Sequence, residues 1–171
     1  QTSGINNVQW LRLKLITKYT TKNRLRYRMV PPLTKLKQFY EAFDQASLKK
    51  LELIYADNVV FVDPLHKING VKALKKYFSG ICSNLTYCQF TFTDEIVDEN
   101  SACLRWEMEY SHASLKNNAR LTLPGTSIIH FLDNKITSQE DFYDMGAMTY
   151  EHIPLLGSVI RVVKARMIKA N

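Results

Sequence analysis

The sequence has no long hydrophobic run, and this absence narrows the class of protein. No apolar segment reaches the ~18 residues that a membrane-spanning helix needs. The uncharged apolar core of about seven residues or more that a secretory signal requires is also missing. There is no internal repeat and no low-complexity tract. The composition is that of an ordinary globular protein, long enough for one domain with a sizeable core.

Cysteine is scarce and its spacing is uninformative. Cys82, Cys88 and Cys103 form no Cys-x-x-Cys motif, and no histidine lies near them at the spacing of a metal site. We therefore expect small, buried, reduced thiols, as in a cytoplasmic protein. We expect neither a metal nor another cofactor.

Acidic residues are absent from the first 28 positions, which carry seven basic ones. The whole chain has 23 basic and 16 acidic residues. Positions 29–171 therefore carry 16 basic and 16 acidic side chains, and this part of the chain has no net charge. We expect residues 1–30 to be a basic extension and residues 31–171 a single domain, with the boundary at Pro31-Pro32. We predict no specific nucleic-acid partner for that domain.

Several interpretations of the extension stay open. It has the composition of a mitochondrial presequence, and equally of an arm that binds nucleic acid or a membrane surface. It could also be sequence that is not native to the domain, or an ordered element added to it. If it is not part of the domain, its removal should leave the fold intact and abolish any polyanion binding.

The hydrophobic spacing after Met29 predicts two helices, a strand, a third helix, four strands and a final helix. Ser47 is a candidate N-cap for the second helix. The four later strands are predicted at Tyr87–Val97, Ser101–His112, Leu121–Leu132 and Lys135–Tyr143. This order is typical of an α+β fold with helices on one face of a curved antiparallel sheet.

The last helix is predicted to begin at Ile153-Pro154. Leu156, Ile160, Val163 and Met167 fall on one of its faces, with basic residues elsewhere. We expect this apolar face to cover the domain's own surface. A basic amphipathic helix of this kind can alternatively lie on a membrane.

The stretch 56–78 carries the most specific pattern. Val59, Phe61 and Asp63 share one face of a short strand, which places a carboxylate at the end of an apolar face. Asp63 is then either a turn former or a group at the mouth of a pocket. Asn69-Gly70 follows and opens the third helix.

This pattern resembles the nuclear transport factor 2-like superfamily, which includes ketosteroid isomerases, limonene epoxide hydrolases and SnoaL-type polyketide cyclases. The matching elements are Ala56-Asp57, Asp63-Pro64 and Gly70-Val71-Lys72-Ala73-Leu74. The resemblance covers about 32–157 and implies a cone-shaped α+β barrel, a curved sheet wrapped by the N-terminal helices around one apolar cavity. It implies little about activity, because function must be argued from the site.

The likeness to the isomerases implies that Asp63 is the general base. The two positions that hold their oxyanion donors carry Phe39 and Ile129 here, and neither can donate a hydrogen bond. Tyr40 is adjacent but points about 100° away around the helix. Steroid isomerisation of the known kind is therefore not expected.

The likeness to the epoxide hydrolases implies a different set of groups. Arg105-Trp106-Glu107 resembles their Arg-x-Asp motif, and Asp141 resembles their second acid. Their water-holding positions carry Val60 and Val62, which cannot hold water. The candidate catalytic residues are thus Asp63, Asp141, Arg105 and Glu107.

Two orientations of the strand at 104–110 remain open. Its alternation favours burial of the even, apolar positions and exposure of Arg105 and Glu107. The resemblance implies the reverse, with Trp106 on an outer face that a second copy would have to cover. We adopt the second orientation as our expectation, and with it a homodimer.

Together these observations predict a pocket protein that binds or acts on a small, largely apolar molecule, by acid/base chemistry of carboxylates. Isomerase, cyclase and epoxide hydrolase activities are the candidates. The alternative is a binding or interaction module without catalysis. The predicted lining residues are Phe39, Tyr40, Phe61, Ile129, Phe131, Gln139 and Tyr143.

Overall fold

The computed structural model describes residues 30–153 and 155–169. Its helices are α1 (Pro31–Glu41), α2 (Leu51–Ile54), α3 (Val71–Asn84), α4 (Met145–Met148) and α5 (Leu156–Lys169). Its strands are β1 (Tyr55–Val62), β2 (Lys67–Asn69), β3 (Leu85–Val97), β4 (Ser101–His112), β5 (Leu121–Leu132) and β6 (Lys135–Tyr143). Residues 1–29 lie outside this description, so the division into an extension and a single domain stays a prediction.

The six strands form one curved, open sheet in the order β2-β1-β6-β5-β4-β3. Neighbouring strands are antiparallel except β1 and β6, which run parallel. Helices α1 and α3 pack on its concave face, and their apolar side chains form the core with those of the sheet. The predicted α+β fold is therefore confirmed, with a sheet that is mixed rather than purely antiparallel.

Several local predictions need correction. The predicted second helix is a 3-10 turn (Ser47–Lys50) followed by one turn of α2, and Tyr55 already belongs to β1. Ser47 does not cap an α-helix, because it exchanges hydrogen bonds with Asp44: Ser47 N donates to Asp44 Oδ1 at 2.7 Å. The short strand β2 was not predicted, and α5 begins at Leu156.

Strand β4 has the orientation that simple alternation favours. Trp106 is buried inside the protomer, with 4% of its surface exposed, whereas Arg105 and Glu107 are exposed on the opposite face. Space for the indole ring comes from Gly125 on β5, which lies directly opposite Trp106. A Cβ atom at Gly125 would lie 2.1 Å from the ring. The expected outward position of Trp106 was therefore wrong.

Helix α3 begins where the sequence pattern placed its start. Gly70 precedes the helix with φ of 87°, in the left-handed region that favours glycine. Its amide donates a hydrogen bond to the carbonyl of Val59, at 2.7 Å, and so joins the start of α3 to β1. Among the described residues, no helix combines the length and the apolar character needed to cross a membrane.

Candidate functional site

A cavity lies between α1, α3 and the concave face of the sheet. It encloses about 530 Å³ of empty space, including its opening to solvent. Its lining is aromatic and aliphatic apart from two carboxyl groups, those of Asp63 and Asp141. The lining residues are Tyr40, Phe43, Phe61, Asp63, Tyr77, Phe78, Ile81, Leu85, Phe90, Trp106, Met108, Leu123, Asp141, Tyr143 and Met148.

Asp63 lies at the end of β1 and is engaged by its own loop. Its Oδ1 accepts hydrogen bonds from the amides of Leu65 (2.8 Å) and His66 (2.7 Å). The hydroxyl of Tyr77 on α3 donates to Oδ2. Asp63 is only 8% exposed and lines the cavity, so it is a turn former and a cavity group at once.

Asp141 projects into the cavity from β6 and is held through one oxygen. Its Oδ1 accepts hydrogen bonds from Ser127 Oγ (2.6 Å) and Gln139 Nε2 (2.9 Å). The described residues provide no hydrogen bond to Oδ2. Oδ2 is therefore the oxygen without a partner among the described residues, on a side chain that lines the cavity.

The two donors to Asp141 are themselves fixed by neighbours. Trp106 Nε1 donates to Ser127 Oγ at 2.9 Å. Because an indole N–H can only donate, the Ser127 hydroxyl proton is directed to Asp141. Gln139 Nε2 also donates to the Tyr40 hydroxyl (3.0 Å), while its Oε1 accepts from Tyr55 (2.7 Å).

Burial raises the pKa of Asp141 from 3.8 to about 6. The hydrogen bonds from Ser127 and Gln139 oppose this rise, and the nearby charge of Asp63 adds to it. A carboxyl group with a pKa in this range exchanges protons readily near neutral pH. Asp141 thus has the electrostatic character of a general acid or base.

Tyr143, two residues after Asp141 on β6, contributes a hydroxyl to the same cavity. Its pKa is raised by burial and by the charges of Asp63 and Asp141, so the group stays protonated and can donate. No hydrogen bond joins this hydroxyl to another described residue. The cavity therefore combines a carboxyl that can accept a proton with a neutral hydroxyl that can donate a hydrogen bond.

The sequence model of the SnoaL-like domain family matches residues 36–139, more than half of the chain. The chain belongs to this family. No curated protein matches it.

Solved structures agree with this SnoaL-like domain in fold. An NTF2-like protein of unknown function from Burkholderia pseudomallei is 15% identical, with a TM-score of 0.61 over 70% of this chain and 95% of that one. A protein from Catenulispora acidiphila with a ketosteroid isomerase-like fold, in complex with trimethylamine, is 13% identical. Its TM-score is 0.59, and the match covers 68% of this chain and 87% of that one. TerC, co-crystallised with polyporic acid, is 16% identical with a TM-score of 0.59, over 69% of this chain and 95% of that one.

The expected lining residues of the SnoaL-like domain separate into two groups. Tyr40, Phe61 and Tyr143 line the cavity. The others lie in the core beside it: Phe39, Ile129, Phe131 and Gln139. Phe39 and Tyr40 are about 100° apart around α1, so only one of them can face the cavity.

The group expected from the epoxide hydrolase likeness does not assemble. Arg105 and Glu107 lie on the convex side of β4, whereas Asp141 faces the concave side, so the sheet separates them. Their expected inward position was wrong because the apolar neighbours Leu104, Trp106 and Met108 occupy that side. Within the part of the chain that the structure describes, no cluster of His, Cys, Asp and Glu could hold a metal.

Sequence reasoning missed Ser127, Tyr77 and Trp106 as site residues. Alternation along β5 gave a usable signal for Ser127, because it places this polar side chain on the same face as Ile129. Alternation along β4 likewise indicated that Trp106 is buried, whereas the family resemblance implied that it points outward. For Tyr77 the chain offered no signal, since its partner Asp63 belongs to a different element.

Proposed function

We propose that this SnoaL-like domain binds a small, largely apolar carbonyl compound and moves a proton on the carbon beside the carbonyl group. Asp141 acts as the base, and Tyr143 stabilises the oxyanion. The observation that supports this proposal is the geometry of Asp141. One of its oxygens is held by Ser127 and Gln139, the other has no hydrogen bond to a described residue, the side chain lines the cavity, and burial raises its pKa to about 6.

The proposed step is a simple proton transfer. Asp141 Oδ2 takes the proton from carbon, the C–H electron pair forms a carbon–carbon double bond, and the carbonyl π electrons move to oxygen. The Tyr143 hydroxyl donates a hydrogen bond to the resulting enolate oxygen. Return of the proton from Asp141 to the same or another carbon gives exchange or isomerisation. The apolar lining excludes water and strengthens these interactions.

Deuterium exchange tests this step without knowledge of the natural substrate. The probe is 2-tetralone, a bicyclic ketone with acidic C–H groups, followed by NMR in D2O. We expect exchange above the buffer rate that rises with pH through about 6, as Asp141 loses its proton. Asp141→Asn should lower the enzymatic rate by about 100-fold or more. Tyr143→Phe should lower it by about 100-fold as well.

Asp144→Asn is the matched control. This neighbouring carboxylate caps α4 at an exposed position, and asparagine can accept the same two amide hydrogen bonds. Exchange at the wild-type rate in the Asp144→Asn variant, with loss in Asp141→Asn, supports the proposal. Full exchange in Asp141→Asn contradicts it.

A ligand-binding module without catalysis is the second candidate. It is favoured by Asp63, whose carboxylate oxygens are already engaged by Leu65, His66 and Tyr77. Trp106 lines the cavity, so its fluorescence should report occupancy in a Trp10→Phe background, which removes the other tryptophan. Quenching by 2-tetralone without catalysed exchange would favour this second function.

The predicted homodimer needs a new basis, because the apolar positions of β4 face inward. Exposed Ile128 and Phe142 on the convex side of the sheet offer one, since they lie on the adjacent strands β5 and β6. We infer that a second copy covers these side chains. Sedimentation should report a dimer that Phe142→Gln dissociates. Leu53→Gln, changed at an exposed position on helix α2 instead of on the sheet, should not dissociate it. A monomeric wild-type protein contradicts the inferred dimer.

The cytoplasmic location expected from the sequence stays a prediction.

A further inference from the structure

Helix α5 presents its apolar side chains to solvent instead of to the domain. Val159, Val163 and Met167 recur at helical spacing and are 60%, 52% and 73% exposed. Leu156 extends the same stripe, and Leu155 is exposed just before it. Of the face expected to cover the domain, only Ile160 is half-buried, and Leu156, Val163 and Met167 are exposed, so the face as a whole does not cover the domain.

The helix is attached to the domain by a side that lies about 100° around its axis from the stripe. Lys164 forms ion pairs with Glu151 and, at 3.9 Å, with Asp144. Gly157 is buried so closely that a Cβ atom would lie 2.2 Å from the carbonyl oxygen of Glu151. These contacts fix the rotation of α5 and direct its apolar stripe outward.

The charges of α5 indicate what covers this stripe. The segment Leu156–Lys169 contains Arg161, Lys164, Arg166 and Lys169 and no acidic residue. The first 28 residues of the chain are also basic and lack acidic residues, so they do not supply the negative charge that complements α5. An apolar stripe flanked by cations is complementary to a lipid surface that carries negative charge.

We propose that α5 is an interfacial helix that attaches the protein to an anionic lipid bilayer. The apolar stripe inserts among the headgroups, parallel to the membrane plane. Arg166, which is exposed and lies three residues from Val163 on the helix surface, binds a lipid phosphate, and its long side chain reaches the headgroups from the flank of the stripe. Lys164 keeps its role as the anchor to the domain.

Co-sedimentation with vesicles tests the proposal on the full chain. We expect binding to vesicles of phosphatidylcholine and phosphatidylglycerol in equal parts, and weak binding to phosphatidylcholine alone. The Val159→Gln, Val163→Gln double variant keeps the net charge and should bind about tenfold more weakly or worse. Arg166→Gln should weaken binding by about fivefold.

Ile96→Gln is the matched control, since this side chain at the end of β3 is 68% exposed and far from α5 in the chain. It should bind as the wild type does, and all variants should keep the wild-type melting temperature because the changed side chains are exposed. Equal binding by the valine variant contradicts the proposal and assigns any affinity to another basic segment. If the wild type does not bind vesicles and the valine variant changes the oligomeric state, the membrane proposal is wrong. A second copy of the chain then covers the apolar stripe.

Discussion

Trp106 and Asp141 are connected through a single hydroxyl group, that of Ser127. The indole N–H donates to Ser127 Oγ, and the hydroxyl proton is donated to Asp141 Oδ1. An aromatic side chain of β4 thereby determines the direction of a hydrogen bond to a carboxylate on β6. The proton affinity of the candidate base is thus coupled to the packing of the sheet.

Replacement of Ser127 by alanine should raise the pKa of Asp141 above about 6, because it removes a hydrogen bond that favours the charged carboxylate. It should also destabilise the fold by about 1–3 kcal/mol, since the Trp106 N–H loses its partner. A carbon-13 NMR titration of the Asp141 carboxyl group measures the first effect, and denaturant unfolding the second. An unchanged titration midpoint would show that this hydrogen bond has no influence on the carboxyl group.

Asp141→Asn should stabilise the protein at neutral pH. The pKa of Asp141 is about 6 in the folded state and about 3.8 in the unfolded state. Between these two pH values the folded state binds more protons, so the free energy of unfolding falls as the pH rises. The cost is complete above that window and is at most about 3 kcal/mol. Asparagine can still accept the hydrogen bonds from Ser127 and Gln139 but cannot ionise. The variant's gain in free energy of unfolding should be small at pH 4 and largest at pH 7 and above; a gain independent of pH contradicts the assignment.

Gly125→Ala should destabilise the protein by about 1–3 kcal/mol, because the new methyl group meets the Trp106 ring at 2.1 Å. Displacement of the ring should also weaken the indole hydrogen bond to Ser127. Gly80→Ala is the matched control, since nothing lies within 4 Å of a Cβ atom at that helical position. It should stabilise the protein by about 1 kcal/mol through helix propensity. Thermal unfolding of both variants measures the contrast, and equal effects would contradict the close approach of Trp106 and Gly125.

Asp63→Ala should cost about 2–3 kcal/mol, because Tyr77 and the amides of Leu65 and His66 lose their acceptor. Asp63→Asn should cost less than about 1 kcal/mol, since its carbonyl oxygen can still accept from both amides. If Asp63 acts only as a structural group, the asparagine variant also keeps full deuterium exchange of 2-tetralone. A large loss of exchange in a stably folded Asp63→Asn variant would assign it a part in the chemistry.

Arg105→Gln and Glu107→Gln should each change the free energy of unfolding by no more than about 0.5 kcal/mol, because both side chains are exposed. Neither substitution should move the titration of Asp141, since the sheet separates these residues from the cavity. The carboxyl titration used for Ser127→Ala measures this directly. A clear shift in either variant would restore the group expected from the epoxide hydrolase likeness.

Local patterning of the sequence was sufficient for most of the sheet. Alternation located β4, β5 and β6 with their exact bounds and β3 to within two residues at its start. Asp133 and Asn134 both have positive φ in the turn between β5 and β6, the conformation that Asp and Asn favour in tight hairpins. These features depend on neighbours in sequence, and the side-chain period of a strand is set by its backbone alone.

Contacts between distant segments decided the site. Asp63 is bonded by its own loop and by Tyr77, whereas one oxygen of Asp141 has no hydrogen bond to a described residue. Tyr77 and Ser127 each lie 14 positions from the carboxylate they bond and on another element of the fold. The sequence could identify both carboxylates as candidates, but it could not rank them.

The sequence by itself determined the fold class, the strands β3 to β6 and the family resemblance, because apolar periodicity and turn residues act locally. Only the tertiary structure decided which face of β4 is buried and which way α5 is turned. In both cases the amphipathic pattern shows which residues share a face, but it does not show which surface that face meets. Burial of Trp106 over Gly125 selects one side of β4, and the ion pair of Lys164 with Glu151 selects one side of α5. Such choices depend on which surfaces meet in three dimensions, and no local pattern encodes that.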